Sequence, residues 1–285
     1  MSGARGRASV VGDRVELARR VTTRLGETAD VFVTEQAGHA RNLARTARAG
    51  GARLVVAWGG DGTVNEVASA LAFGDVPLGI VPAGSGNGLA RELGIAPHPE
   101  TALTAALRGA PRAIDAGEIA GRLFVNIAGI GFDAHVAARF NAPENPRRGL
   151  AGYAVLTARS IADYACGRYE IVTPDARTTV RALLIALANG TEFGNRIRIA
   201  PDARVDDGAL NLVIVEERSR LATMSSLWRL INGSVHRAPI WSSRRVQEVT
   251  IESDAPMMFH VDGEPIQGGT RLEARVHPGA LKVCV

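Results

Sequence analysis

Between Val31 and about Arg112, short β-branched or aliphatic runs alternate with longer stretches whose apolar residues recur every three or four positions. Val31–Val33, Leu54–Trp58 and Leu78–Val81 have the strand pattern; His39–Ala49, Thr63–Ala72 and Gly88–Leu93 have the helical one. Gly50-Gly51 and Asp75-Val76-Pro77 supply the breaks. Strands alternating with helices predict βαβ units and a parallel sheet. After Asp115 the rhythm changes. Leu123–Ala128, Tyr169–Thr173, Val180–Ala188, Ala209–Val215, Val246–Glu252, Met257–Asp262 and Leu272–Val276 read as strands, interrupted only by helical stretches near Ala151–Ala165 and Leu221–Asn232. That pattern predicts an antiparallel, sandwich-like second half. The expected fold class is therefore α/β plus β, with an α/β domain over residues 1–115 and a β-sandwich-like domain over 116–285.

Composition narrows the function classes. The apolar fraction is 46% and the charged fraction 22%, with no long polar block, so the chain is expected to be globular throughout. A net charge of +4 is too small to indicate nucleic-acid binding, and an aromatic fraction of 5% argues against base stacking. Lys282 is the single lysine among 33 basic residues, which weakens any argument from one arginine. Cys166 and Cys284 form no metal or disulfide pattern and fit a reducing cytoplasm. The longest purely apolar run, Ala182–Ala188, is far short of the roughly 20 residues a membrane helix needs. Membrane contact is thus expected to be peripheral.

Two strand-to-helix turns carry the candidate chemistry. The first is Gly59-Gly60-Asp61-Gly62-Thr63 within LVVAWGGDGTVNEV; the second is Gly84-Ser85-Gly86-Asn87-Gly88 within VPAGSGNGLARELG. Glycines there let backbone N–H groups approach a phosphate at a helix N-terminus. GxxxxGK[ST] fails for want of its lysine, and GxGxxG fails because Asn65 takes the third glycine position. A carboxylate inside an anion loop suggests a divalent cation between Asp61 and phosphate, while an N-cap role for Asp61 is the simpler alternative. Adjacent parallel strands would present both loops at one carboxyl edge.

The pair GGDGTVNEV and PAGSGNGLARELG, followed by DGEP at Asp262–Pro265, resembles the diacylglycerol kinase catalytic family, in particular the bacterial lipid kinases and their sphingosine and ceramide kinase relatives. NIAGIGFDAHVA at 126–137 and PDARVDDGALNL at 201–212 extend the likeness over nearly the whole chain. The resemblance implies an ATP-dependent kinase using Mg²⁺, with ATP and lipid meeting between the two domains. It assigns nucleotide contacts to Thr34, Gly60, Asp61, Gly62, Thr63, Val64, Asn65, Glu66, Ser85 and Asn87. Asp61 and Glu264 become the catalytic carboxylates, with Glu264 as general base. It also implies a structural cation held by Asp207 and the carbonyls of Arg204 and Ala209, although Asp-Asp-Gly is otherwise an ordinary hairpin turn.

The implied partner is a diacylglycerol-like or sphingoid lipid at the inner membrane face; the oligomeric state, homodimer included, stays open. Asp115 and Asp133 read as cleft or turn residues, His135 as a structural residue on a strand or its exit. Arg147-Arg148 and Arg244-Arg245 read as solvated surface or as contacts to anionic headgroups. The family's opening strand, which ends in Asn-Pro, is not matched by MSGARGRAS: either the start lies too late in the sequence given or the nucleotide sheet lacks an edge, which would expose backbone groups there. Asn87-Gly88, where bacterial members more often carry Asn-Asp, leans toward the sphingosine and ceramide side. An NAD-kinase-like enzyme and a non-catalytic nucleotide-binding relative are the alternatives.

Overall fold

The computed structural model describes residues 2–142, 156–157, 159–160, 164–193, 198–217, 229 and 234–285; the side chains of 2–9 and 141 fall outside the description. Arg147-Arg148, most of 151–165 and most of 221–232 therefore lie outside the described residues.

The N-terminal lobe contains α1 (Ser2–Leu25), α2 (His39–Ala49), β1 (Val55–Gly59), α3 (Asp61–Leu71), β2 (Leu78–Pro82), α4 (Gly88–Glu92) and α5 (Pro99–Arg108). β1 and β2 pair in parallel, Val55 opposite Leu78 through Gly59 opposite Pro82. Side chains alternate across a strand, so β2 feeds two cores. Leu78 and Ile80 pack with Ala57, Val67 and Leu71 under α2, α3 and α4. Val81 faces the other way, onto Val21 of α1 and Leu103 of α5. Pro99 sits in the first turn of α5, where its missing N–H costs nothing.

The chain then enters β3 (Pro111–Ile119), β4 (Arg122–Phe124), β5 (Ile127–Gly131) and α6 (Phe132–Asn141). It continues through β6 (Gly167–Thr173), β7 (Ala176–Ala188), β8 (Leu210–Glu216), β9 (Trp241–Val246), β10 (Glu248–Glu252), β11 (Met258–Val261), β12 (Glu264–Gln267) and β13 (Arg271–Cys284). Strand pairing after β2 is antiparallel apart from one junction: the end of β13 lies parallel to β2, with Val283 opposite Leu78. β3 runs through the point where the sequence rhythm changes, and β13 returns beside it to tie the two lobes into one sheet. The architecture is the expected one, parallel α/β followed by an antiparallel β-sandwich lobe. The second lobe is packed on two sides. Ile130, Ile171, Leu212, Phe259 and Leu272 form one cluster; Ile127, Phe132, Leu184 and Val213 form the other.

Two local expectations are corrected and one is narrowed. Val31–Val33 is not a strand: the segment pairs with nothing among the described residues, and its residues are 39%, 64% and 48% exposed. β propensity needs a ladder neighbour to be realised, and among the described residues β1 pairs with β2 alone. His135 lies at the exit of β5, on helix α6, which begins after Gly131, whose φ of +96° turns the chain. Asp206-Asp207-Gly208 is a turn leading into β8 and not a hairpin loop.

Candidate active site

The register of β1 and β2 brings the two glycine loops to one edge of the sheet. They touch backbone to backbone: a Cβ at Gly84 would stand 2.6 Å from the Gly60 Cα, so any side chain there would push the loops apart. Asp61 fastens them together. Its carboxylate accepts the N–H of Asn87 at 2.8 Å and of Gly88 at 2.6 Å. Asn87, with φ of +54°, closes its own loop by accepting the Gly84 N–H and donating to the Gly84 carbonyl. Asp61 therefore does not cap its own helix. Gly60 holds the N-cap position of α3 and no side chain caps it, which leaves first-turn N–H groups facing a cleft.

Glu66 fixes the next wall. Its carboxylate accepts the N–H of Gly38 at 2.7 Å and of Arg41 at 3.2 Å, capping α2 and holding the 34–38 segment against the cleft. Thr34, Gly60, Asp61, Gly62, Thr63, Glu66 and Ser85 all line this cleft of about 670 Å³. Three expected nucleotide contacts do not. Val64 is buried in the apolar cluster of the first lobe. Asn65 is 4% exposed and donates to the Leu123 carbonyl and to Asp262. Asn87 is engaged with Gly84, as above.

The opposite wall comes from the second lobe. Asp262 and Gly263, with φ of +48° and +87°, form a two-residue hairpin turn between β11 and β12. One Asp262 oxygen accepts the Asn65 amide at 2.8 Å and the Val125 N–H at 3.0 Å; the other accepts the N–H groups of Asn126 and Ile127, both at 3.0 Å. Enclosure pushes this carboxyl up from its ordinary range, against the downward pull of its four donors. Asp262 thereby joins α3 of the first lobe to the turn that presents Glu264. Glu264 is exposed in the cleft and has no hydrogen-bonding or ionic partner among the described residues. Ile127, Ala137, Phe140 and Phe193 give the cleft an apolar side next to it.

The role of Asp262 was missed at the level of sequence. The Asp-Gly pair signals a hairpin, but nothing in the spacing shows that its carboxylate collects donors from residues 65 and 125–127. His260 was missed as well; it lines the cleft and pairs with Asp133 at 3.2 Å, both residues buried. Asp115 has a turn role, accepting the N–H groups of Gly208 and Gly279, each at 2.7 Å. Burial and nearby Arg139 hold the His135 imidazole below its ordinary pKa.

At the expected cation site of Arg204, Asp207 and Ala209, the one carboxylate already has partners within the chain. Asp207 is engaged by the Arg245 guanidinium at 2.8 Å and by the Ala209 N–H at 3.2 Å, so its charge is already met. No cluster of three His, Cys, Asp or Glu side chains able to hold a metal occurs among the described residues. Arg244, which no ion pair engages among the described residues, is exposed on β9.

Comparison with known proteins accords with this geometry. Residues 7–119 match the diacylglycerol kinase catalytic domain, and residues 126–285 match the YegS C-terminal NAD kinase beta sandwich-like domain. Relatives named as probable lipid kinases of the YegS-like type include one from Pseudomonas aeruginosa, 35% identical over 95% of this chain and 89% of the relative. Another, from Chromohalobacter salexigens, is 34% identical over 88% and 82%. Among solved structures, a Bacillus anthracis protein assigned as a diacylglycerol kinase has a TM-score of 0.73 at 22% identity, over 88% of this chain and 82% of that one. An Archaeoglobus fulgidus NAD kinase in complex with ATP shares the fold at a TM-score of 0.54 and 11% identity, over 95% and 89%. The chain therefore belongs to the diacylglycerol kinase catalytic family, with a YegS-type C-terminal domain, and is a phosphotransferase with an alcohol group as acceptor.

Proposed function

We propose that this chain moves the γ-phosphoryl group of ATP onto a hydroxyl of a diacylglycerol-like or sphingoid lipid, with Glu264 as general base. One observation carries the reading: a carboxylate with no partner among the described residues shares a cleft that has an apolar side with an uncapped helix N-terminus. The phosphates of ATP lie against the first turn of α3, where N–H groups of Gly60–Thr63 and the helix dipole favour negative charge. Thr34 and Ser85 flank them, and Glu66 acts by holding the 34–38 segment in place. The acyl or sphingoid chain lies along Ile127, Ala137, Phe140 and Phe193, and its hydroxyl meets Glu264.

Glu264 removes the hydroxyl proton as the lipid oxygen bonds to the γ-phosphorus. The bond between that phosphorus and the β–γ bridging oxygen breaks, and ADP leaves. Mg²⁺, when bound with the nucleotide, neutralises charge on the phosphates. Asp61 is the residue that would hold it: each of its oxygens accepts only one N–H and keeps a further lone pair. One carboxylate together with phosphate oxygens is a usual Mg²⁺ environment.

In this reading residues 1–115 form the ATP lobe and 116–285 the acceptor lobe. The protein acts at the inner face of the membrane without crossing it; no described helix is long and apolar enough to span a bilayer. The test is incubation of pure protein with labelled ATP, Mg²⁺ and a panel of diacylglycerols, sphingoid bases and ceramides in mixed micelles, alongside NAD. Labelled lipid is the expected product. Labelled NAD without labelled lipid, or ATP binding with no labelled product, overturns the reading.

A further inference from the structure

One buried pair beside the cleft is used by none of the steps above. Asp133, in the first turn of α6, lies 3.2 Å from Nε2 of His260 on β11, and both side chains are more than nine-tenths buried. On the other side of the ring, the Gly263 N–H donates to Nδ1 at 3.3 Å. An Nδ1 that accepts a hydrogen bond carries no proton, so the ring proton sits on Nε2 and is donated to Asp133. His260 is thus held by a carboxylate at one nitrogen, and with the other it holds the backbone of the turn between Asp262 and Glu264.

The surroundings are shaped for this pair. Gly129 lies directly opposite His260 in the β5–β11 ladder, and a Cβ there would fall on the Asp133 carboxylate and against His260 Nε2. The glycine therefore leaves room for the two side chains to meet over the strand. Phe193, on the apolar side of the cleft, stands over the His260 ring at 6.1 Å between centroids. α6 carries Ala137 and Phe140 into the same cleft.

We propose that Asp133 and His260 are positioning residues for the phosphoryl transfer: Asp133 orients the His260 ring, and His260 fixes Gly263 so that Glu264 is presented toward the acceptor hydroxyl. The inference rests on Glu264 being the base, and it adds the device that aims it. Asp262 pins the turn to the first lobe; His260 sets the orientation of its far side, next to Glu264. Among the described residues the pair makes no hydrogen bond to the ATP loops, so its loss is expected to act on the chemical step and not on nucleotide binding.

Three substitutions separate the two contacts. His260→Leu removes both. His260→Asn places an amide oxygen near the Nδ1 position and keeps an acceptor for Gly263; His260→Gln reaches toward Asp133 and gives that acceptor up. His260→Leu and His260→Gln are expected to lower kcat roughly 10- to 100-fold, the scale of a small misplacement of a reacting group, with KM for ATP changed less than about twofold. His260→Asn recovers most of the kcat lost in His260→Leu. Equal kcat in all three variants and wild type overturns the proposal, as does a loss in His260→Leu that appears mainly as a raised KM for ATP.

A second readout needs no turnover. Long-range ¹H–¹⁵N correlation of the His260 ring is expected to show the Nε2–H tautomer, and a proton on Nδ1 overturns the assignment. If wild type phosphorylates no acceptor, the base reading fails by itself, and the tautomer alone still decides whether the Asp133–His260–Gly263 chain exists.

Discussion

Replacing Asp262 by alanine tests how the two lobes are held together. The substitution strands four donors: the Asn65 amide and the N–H groups of Val125, Asn126 and Ile127. An enclosed donor left without its acceptor costs about 1 kcal/mol at the low end, so the four together give roughly 4 kcal/mol. Asp262→Asn keeps one oxygen for Asn126 and Ile127 but turns an NH₂ toward Asn65 and Val125, which halves the loss to about 2 kcal/mol. For a chain of this size these figures lower Tm on the order of 10 °C for alanine and about half that for asparagine. Differential scanning calorimetry measures both. Asn65 donates to Asp262, so Asn65→Ala combined with Asp262→Ala should cost less than the sum of the two single variants. A Tm for Asp262→Ala within about 2 °C of wild type would refute the claim that this carboxylate anchors the turn.

Further outcomes follow from the same geometry. Glu66→Ala frees the Gly38 and Arg41 N–H groups and loosens the Thr34 segment, so KM for ATP should rise roughly tenfold; an unchanged KM in steady-state assays contradicts the wall assigned to it. Gly84→Ala places a Cβ 2.6 Å from the Gly60 Cα and should abolish calorimetrically measured ATP binding, whereas retained affinity means the loops can separate without penalty. Burial pushes the Cys166 thiol up to about 11 from its ordinary 9, so alkylation by iodoacetamide at pH 8 should run about a hundredfold slower than for a free thiol and recover in denaturant; free-thiol rates in the native protein count against that burial.

Much of the fold could be read along the chain. The period change in the sequence anticipates both kinds of pairing, because βαβ units and meanders impose different spacings, although antiparallel pairing already begins at Pro111 of β3 and the end of β13 returns parallel to β2. Each glycine loop follows a strand, so their shared edge was also legible. Contacts between distant residues were less so. The sequence suggested that Asp61 serves a cation or caps its own helix; what spacing did not show is that each of its two oxygens also accepts an N–H group, from residues 26 and 27 positions onward. Asn65 sits inside the motif yet turns from the cleft to reach Asp262, 197 residues away. Val31–Val33 carries strand residues but has no ladder to join. Asp207 had the chemistry of a cation ligand, and only the fold shows Arg245 beside it. In each case local propensity was correct about residue type, and the outcome was decided by a partner that spacing does not identify.

The central claim is that Glu264 takes the proton of the acceptor hydroxyl while the first lobe alone holds the nucleotide. Glu264→Gln keeps the size of the side chain and removes the base. Rapid-quench single-turnover kinetics, with ATP bound and a lipid acceptor saturating, reads the transfer step directly. The account predicts a rate at least 100-fold below wild type with the Kd for ATP within about twofold. A transfer rate for Glu264→Gln equal to wild type would contradict it.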